Sequence, residues 1–120
     1  LLSMTPLHKA IHQVESSGRT GSGIVGDGGN AIGPLQIWQA CWHDAVEFDP
    51  SIGGVYQDCH DLKYACKIFD AYIDRYATER RLGRPVTDQD RARIWNGGPN
   101  GYKKKATLKY WKKVKERLNP

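Results

Sequence analysis

The fold is decided at residues 5–33, which read TPLHKAIHQVESSGRTGSGIVGDGGNAIG. Thr5 is suited to cap a helix and Pro6 to occupy its first turn. Apolar residues then follow at helical spacing, at Leu7, Ala10, Ile11 and Val14. The run 16–18 ends this pattern, and a segment with seven glycines, 18–33, comes next. The stretch therefore predicts an amphipathic helix followed by a structure of another kind.

The glycine-rich segment contains two short apolar pairs, Ile24-Val25 and Ala31-Ile32. They flank the turn residues Asp27-Gly28-Gly29-Asn30. Apolar pairs on both sides of such a turn indicate a small hairpin or an extended loop. We therefore expect one small β insert directly after the first helix.

Helical patterns account for most of the remaining chain. Helices are predicted at about 36–47, at about 61–79, and from Thr87 toward Asn96, where Thr87 and Asp90 resemble a capping box. A last helix is expected to turn four apolar residues inward and its lysines outward: Leu108, Trp111, Val114 and Leu118. The predicted fold class is α+β, mostly helical with a β-hairpin insert after the first helix.

Length and composition indicate an ordinary globular protein. The 120 residues suit a single domain, 1–120, with 39% hydrophobic and 26% charged residues. No stretch approaches the ~18 consecutive apolar residues of a membrane span. We expect a monomer that is secreted or periplasmic and whose signal segment is not in this chain.

The net charge of +5 is concentrated near the end of the chain. Residues 103–117 contain eight basic residues and one acidic residue, Glu116. Such a helix either attracts polyanions, of which an anionic cell wall is one, or is simply a solvated cationic face. No recognised nucleic-acid motif accompanies it, so we expect no nucleic-acid partner.

The three cysteines, Cys41, Cys59 and Cys66, permit at most one internal disulfide. If Cys59 and Cys66 share one helix, their ~10 Å separation excludes a bridge between them. A pair that includes Cys41 stays open. The cysteines also lack the spacing of metal ligands.

Two histidines, His8 and His12, lie four residues apart on the first helix. No glutamate stands between them as in a zinc protease motif. We therefore expect two solvated histidines, no metal site and no cofactor.

Glu15 is the first candidate for chemistry. It lies four residues beyond Ile11, at the edge of the predicted buried face and in the last helical turn. Partial burial and the helix C-terminus both raise the pKa of a carboxyl group. A carboxylic acid that stays protonated near neutrality is what glycosidic cleavage requires. Position alone favours an ordinary surface glutamate over a catalytic one.

Asp27 is the second candidate. It lies twelve residues after Glu15, among glycines that permit sharp turns and close approach of a ligand. Two carboxyl groups in unlike environments are typical of glycoside hydrolysis, in which one donates a proton and the other acts on the sugar cation or on water. Taken alone, Asp27 is better explained as a turn residue chosen for backbone hydrogen bonding.

Several segments together resemble invertebrate-type lysozymes of the destabilase family. They are Val14-Glu15-Ser16, Asp27, Gly33-Pro34-Leu35-Gln36-Ile37, 71–76, 92–101 and 107–111. Their order and spacing match over nearly the whole chain. The runs Gly-Pro-x-Gln-Ile and Asn-Gly-Gly-Pro-Asn-Gly are the most specific signals.

The resemblance implies a lysozyme-like fold and a glycan cleft between the hairpin and the helices. It implies Glu15 as the general acid and Asp27 as the nucleophile or electrostatic stabiliser of a muramidase. Such an enzyme cleaves the β-1,4 bond between N-acetylmuramic acid and N-acetylglucosamine in peptidoglycan. Four residues are expected to bind or support the glycan, or to brace the loops around it: Gln36, Trp95, Asn96 and Gly97.

The chain departs from the family pattern in two ways. The animal members are rich in cysteine, whereas the three cysteines here lie outside the family's positions, so the chain resembles a cysteine-poor branch. The family's Ile-His-Asn-Gly-Gly run reads Ile94-Trp95-Asn96-Gly97-Gly98. Because that histidine is tied to an isopeptidase activity proposed for some members, the resemblance does not extend this activity to the chain.

Two other functions fit the same residues. A lytic transglycosylase needs only Glu15 and produces anhydro ends instead of reducing ends. A non-catalytic wall-binding module would use the cationic last helix and cleave nothing.

Overall fold

A computed structural model describes residues 3–119. The chain forms six α-helices and three short strands in these residues: α1 Pro6–Ser16, β1 Val25–Gly26, β2 Ala31–Ile32, β3 Ile37–Trp38, α2 Gln39–Phe48, α3 Leu62–Tyr76, α4 Glu79–Leu82, α5 Asp88–Gly97 and α6 Leu108–Leu118. Single 3-10 turns join several of these elements. The mostly helical α+β fold with a β insert after the first helix is confirmed.

The first helix begins and ends as its sequence predicts. The Thr5 side chain accepts a hydrogen bond from the His8 backbone N–H, and the Thr5 N–H donates to His8 Nδ1, which completes a capping box. Pro6 occupies the first turn. The helix ends at Ser17, whose φ of 58° lies in the left-handed region.

The β insert is a three-stranded antiparallel sheet in the order β1-β2-β3. Val25 pairs with Ile32, and Ile32 pairs with Ile37. The third strand was missed because Ile37-Trp38 falls at the start of the predicted helix 36–47, which in the structure begins at Gln39.

The predicted helix at 61–79 is interrupted. It ends at Tyr76, and Thr78 then caps the short helix α4 through a hydrogen bond from the Arg81 N–H. The capping box at the start of α5 is confirmed, with the side chains of Thr87 and Asp90 each binding the other's backbone N–H.

One hydrophobic core unites the helices and the sheet. Its fully buried members include Ile11, Leu35, Ile68, Ile94 and Val114, which come from α1, the β2–β3 turn, α3, α5 and α6. The aromatic residues Phe69 and Tyr72 of α3 are buried in this core.

The expectation that Leu108 turns inward is wrong, because its side chain is 45% exposed. Thr107 takes the buried place at the start of α6. Its hydroxyl accepts a hydrogen bond from Arg93 Nε at 2.8 Å and donates to the Gly101 carbonyl at 2.7 Å. These bonds satisfy a buried polar group and leave Leu108 outside.

The expectation of two solvated histidines is also wrong. His8 is buried with its Nε2 2.6 Å from Oδ1 of Asp70, and His12 is buried with its Nε2 2.7 Å from the Arg19 carbonyl oxygen. Both rings therefore brace α1 against its surroundings. Residues 3–119 contain no cluster of three or more potential metal ligands.

The cysteines lie in separate elements. Cys59 belongs to the 3-10 turn Tyr56–His60, whereas Cys66 lies in α3, so the two do not share a helix. Cys41, Cys59 and Cys66 are free thiols. No helix within residues 3–119 has the length and apolar character to cross a membrane.

Candidate active site

The two predicted carboxyl residues face the same cleft. Glu15 comes from the last turn of α1, and Asp27 begins the 3-10 turn Asp27–Gly29 between β1 and β2. A pocket of about 130 Å³ brings them together with residues from β3, α2 and α5; its lining is Glu15, Asp27, Gln36, Ile37, Trp38, Cys41, Trp95 and Asn96. The cleft between sheet and helices thus contains both candidates.

The cleft continues beyond the carboxyl groups. A second pocket of about 320 Å³ shares Trp38, Cys41, Trp95 and Asn96 with the first and extends toward Asp44, Tyr72 and Gly98. The shared lining makes one continuous groove. The groove therefore extends beyond the pocket that contains the two carboxyl residues.

Glu15 is held in an environment that favours its neutral form. Burial, the largest influence, raises the pKa of its carboxyl to about 7. The charge of Asp27 raises it further, whereas Tyr110, Trp95 and Lys113 oppose the shift. The Tyr110 hydroxyl donates to Glu15 Oε2 at 2.7 Å. Glu15 is therefore able to carry a proton at neutral pH.

Asp27 has different surroundings. Its side chain is exposed, and its φ of 50° lies in the left-handed region, which is uncommon for a residue other than glycine. Strained backbone of this kind persists where the surrounding structure enforces it, often at functional sites. The turn between β1 and β2 thereby presents Asp27 to the groove.

Gln36 is the last residue of the turn that joins β2 to β3. Its φ of 52° is also left-handed, and its Nε2 donates to the Gly33 carbonyl at 2.9 Å. Its Oε1 occupies the space that a side chain at Gly26 would need. The missing side chain of Gly26 therefore lets Gln36 lie against the strand that leads into Asp27.

The remaining predicted residues differ in their placement. Asn96 lines both pockets. Trp95 lines them too, but its ring also packs edge-on against Phe69 and Tyr72, at centroid distances of 4.8 and 5.8 Å. Gly97 is not among the lining residues, and its carbonyl accepts a hydrogen bond from Lys104 Nζ at 2.6 Å.

Sequence reasoning did not single out Trp38, Cys41 or Tyr110. Trp38 is 49% exposed although it is large and aromatic. It directly follows the Gly-Pro-x-Gln-Ile run, two residues after Gln36, and this position could have indicated that it belongs to the site. Burial raises the pKa of the Cys41 thiol, which keeps it neutral. Tyr110 is 95 residues from its partner Glu15, and no local pattern indicates such a contact.

Comparisons with known proteins agree with this architecture. A family model described as Destabilase matches residues 9–117. The invertebrate-type lysozyme of Ruditapes philippinarum is 36% identical over 101 residues, which is 82% of this chain and 70% of the relative. The lysozyme of Ostrea edulis is 32% identical over 125 residues, which is 96% of this chain and 87% of the relative.

Solved structures show the same fold. The crystal structure of Tapes japonica lysozyme matches with a TM-score of 0.77 and 29% identity, over 94% of this chain and 89% of the other. The Meretrix lusoria lysozyme, in its complex with Aeromonas hydrophila PliI, also matches with a TM-score of 0.77 and 29% identity, over 96% of this chain and 89% of the other. The chain belongs to the destabilase family of invertebrate-type lysozymes.

Proposed function

We propose that this chain is a muramidase that hydrolyses the β-1,4 bond between N-acetylmuramic acid and N-acetylglucosamine in peptidoglycan. The observation that carries the proposal is one groove lined by two carboxyl residues in unlike surroundings, Glu15 partly buried and Asp27 exposed. Relatives named lysozymes support the same substrate class.

In this mechanism Glu15 is the general acid. Its carboxyl, with a pKa of about 7, gives its proton to the oxygen of the leaving sugar. Asp27 attacks the sugar carbon or stabilises its positive charge from the loop side of the groove. The family resemblance favours retention of the anomeric configuration, which requires a short carboxyl separation of about 5 Å in the productive complex. Proton NMR of the first product anomer tests this step.

The groove walls supply glycan contacts. The amides of Gln36 and Asn96 are suited to sugar hydroxyl and N-acetyl groups. The exposed ring of Trp38 provides an apolar face for a pyranose ring. We further propose that the protein acts outside the cytoplasm, where it meets the wall, and that the basic residues of α6 attract this anionic polymer.

The test is lysis of purified Gram-positive walls by wild type and Glu15→Gln, with exposed Glu79→Gln as a matched control. Both substitutions remove one carboxylate and keep the side-chain size. We expect Glu15→Gln to lose at least ~100-fold in rate with an unchanged fold, as the loss of a general acid requires. Full activity of Glu15→Gln would refute the assignment.

Mass spectrometry of the products separates the alternatives. Reducing ends, together with a large rate loss in Asp27→Asn, support hydrolysis. Anhydro ends and an active Asp27→Asn indicate a lytic transglycosylase that uses Glu15 alone. Wall binding without cleavage by the wild type indicates a binding module.

A further inference from the structure

The catalytic candidate Glu15 has a fixed partner from the far end of the chain. The Tyr110 hydroxyl donates to Oε2 of Glu15 at 2.7 Å, and the two residues lie 95 positions apart. Tyr110 belongs to α6, which packs along α1. This contact joins α1 to α6. Tyr110 is not among the residues that line the pocket, so it holds the Glu15 carboxyl from outside the pocket.

Tyr110 keeps its proton and donates a hydrogen bond to the carboxylate form of Glu15. Burial, together with the charge of Glu15 and the bond to it, raises the pKa of the tyrosine hydroxyl well above its ordinary value. The hydroxyl therefore keeps its proton throughout the pH range in which Glu15 titrates.

A donor at one carboxyl oxygen decides where the acid proton lies. A protonated carboxyl has one O–H oxygen and one carbonyl oxygen, and the carbonyl oxygen is the better acceptor. The protonated form of Glu15 that keeps the bond from Tyr110 to Oε2 carries its proton on Oε1. The same bond restrains rotation of the carboxyl group and so fixes its direction.

Resting on the proposed function, we propose that Tyr110 is a positioning residue that selects Oε1 of Glu15 as the oxygen that protonates the glycan. As the glycosidic C–O bond breaks, its electron pair stays with the leaving oxygen, which takes the proton from Oε1. Glu15 becomes a carboxylate, and Tyr110 keeps its own proton and continues to donate to Oε2. Asp27 attacks or stabilises the sugar carbon left by this cleavage. A water then bonds through its oxygen to that carbon, releases Asp27 and gives one proton to Glu15, which restores both carboxyl groups.

The proposal predicts two separable effects in Tyr110→Phe. Loss of a hydrogen bond to the carboxylate shifts the alkaline limb of the pH–rate profile upward by ~1 pH unit, because such a bond favours the charged form. Loss of orientation lowers kcat by ~10-fold or more at the optimum and leaves KM within ~2-fold.

Tyr64→Phe is the matched control. The Tyr64 hydroxyl donates to the Gly53 carbonyl at 2.6 Å and accepts from Trp42 Nε1 at 2.9 Å, away from Glu15. We expect this control to lose stability and to keep the wild-type pH profile. If Tyr110→Phe behaves like Tyr64→Phe, with an unmoved limb and unchanged kcat, the role of Tyr110 is structural and the inference is overturned.

A second measurement uses only proteins that keep Tyr110. In wild type labelled at tyrosine Cζ, one resonance should titrate with a midpoint near 7, and this titration should vanish in Glu15→Gln. Absence of any such resonance overturns the inference. Failure of the proposed function gives different results: Glu15→Gln retains lysis, the wild type releases anhydro ends, or the wild type does not cleave walls at all.

Discussion

Glu15 combines a chemical advantage with a cost in stability. Because its folded pKa is raised to about 7 from 4.5, the folded state binds its proton more tightly than the unfolded state does. Glu15 therefore contributes its full stabilisation of the folded state below pH 4.5, and this stabilisation is lost as the pH rises through about 7.

Glu15→Gln should consequently stabilise the protein at alkaline pH. We expect the free energy of unfolding to rise by about 1–3 kcal/mol at pH 8 and to stay near the wild-type value at pH 4. Urea unfolding at the two pH values measures this difference. If Glu15→Gln changed the free energy of unfolding equally at pH 4 and pH 8, burial of the carboxylate charge would not be the cause of the change.

The packing of Gln36 over Gly26 gives a second prediction for a single residue. Gly26 has an extended backbone, φ −142° and ψ 178°, which alanine adopts without strain. Gly26→Ala should therefore displace the Gln36 side chain by contact alone and lower the cleavage rate by ~10-fold, with little change in Tm. Kinetics and thermal melts of the variant provide the measurement.

A double variant serves as its control. In a Gln36→Ala background the added methyl group meets no side chain, so Gly26→Ala should cost nothing further. Equal losses in both backgrounds would show that Gly26 acts through something other than Gln36.

Individual residues also show which features a local sequence pattern can predict and which it cannot. Helical spacing located Glu15 at the edge of a buried face, because that face is a local property of α1. His8 and His12 were misjudged because the groups that bury and bind them, such as Asp70, come from elsewhere in the chain. Tyr110 was missed for the same reason.

Among the elements, α5 depends on its first turn. Asp90 is buried there and accepts two hydrogen bonds from Arg84, each at 2.7 Å, and others from the Thr87 N–H and hydroxyl. The Arg84 bonds are the main reason why the pKa of Asp90 falls to about 2. This helix carries Trp95 and Asn96 to the groove, so its anchoring matters to the site.

Asp90→Asn should destabilise the protein by about 2 kcal/mol at pH 7. A carboxyl whose folded pKa is lowered stabilises the fold above its unfolded pKa, near 4, and loses that effect as the pH falls through 2. The penalty should therefore shrink markedly at pH 2, as chemical unfolding can show. Asp88→Asn, at an exposed ion pair with Arg91, is the control and should cost under ~0.5 kcal/mol.

Elements with several helical turns were predicted well, and the shortest were not. The capping residues Thr5 and Thr87 are encoded locally and begin their helices as predicted. A two-residue strand such as Ile37-Trp38 shows no measurable alternation, so its pairing with β2 depends on contacts that the sequence does not display.

For the molecule as a whole, the distribution of charge is the property that would attract the anionic wall polymer proposed as its substrate. The basic residues of α6 and of the segment before it are exposed, among them Lys109, Lys112 and Lys115. We expect wall lysis to fall several-fold between about 20 and 200 mM salt, because screening weakens attraction to an anionic polymer.

Replacing Lys109, Lys112 and Lys115 together by Gln should flatten this salt dependence. Cleavage of a short uncharged chitooligosaccharide, which lacks the anionic groups, should vary little with salt in either protein. A wild type whose lysis is insensitive to salt would exclude a role for the basic helix in recruitment.

The fold class followed from the sequence because one amphipathic helix, a glycine-rich insert and a series of further helices leave few ways to bury the apolar faces. The sequence pattern located Glu15 at the end of α1 and Asp27 in the turn after β1, and both residues line the same pocket. The groove itself lies between residues of β3, α2 and α5, and this long-range arrangement is not encoded in any one segment.

The adjacency of α1 and α6 has a consequence for biosynthesis. Glu15 is synthesised 95 residues before Tyr110, so on the proposed role of Tyr110 a nascent chain or a fragment that stops before α6 lacks the group that aims the proton. Competence thus arrives only after α6 has been synthesised and has packed against α1.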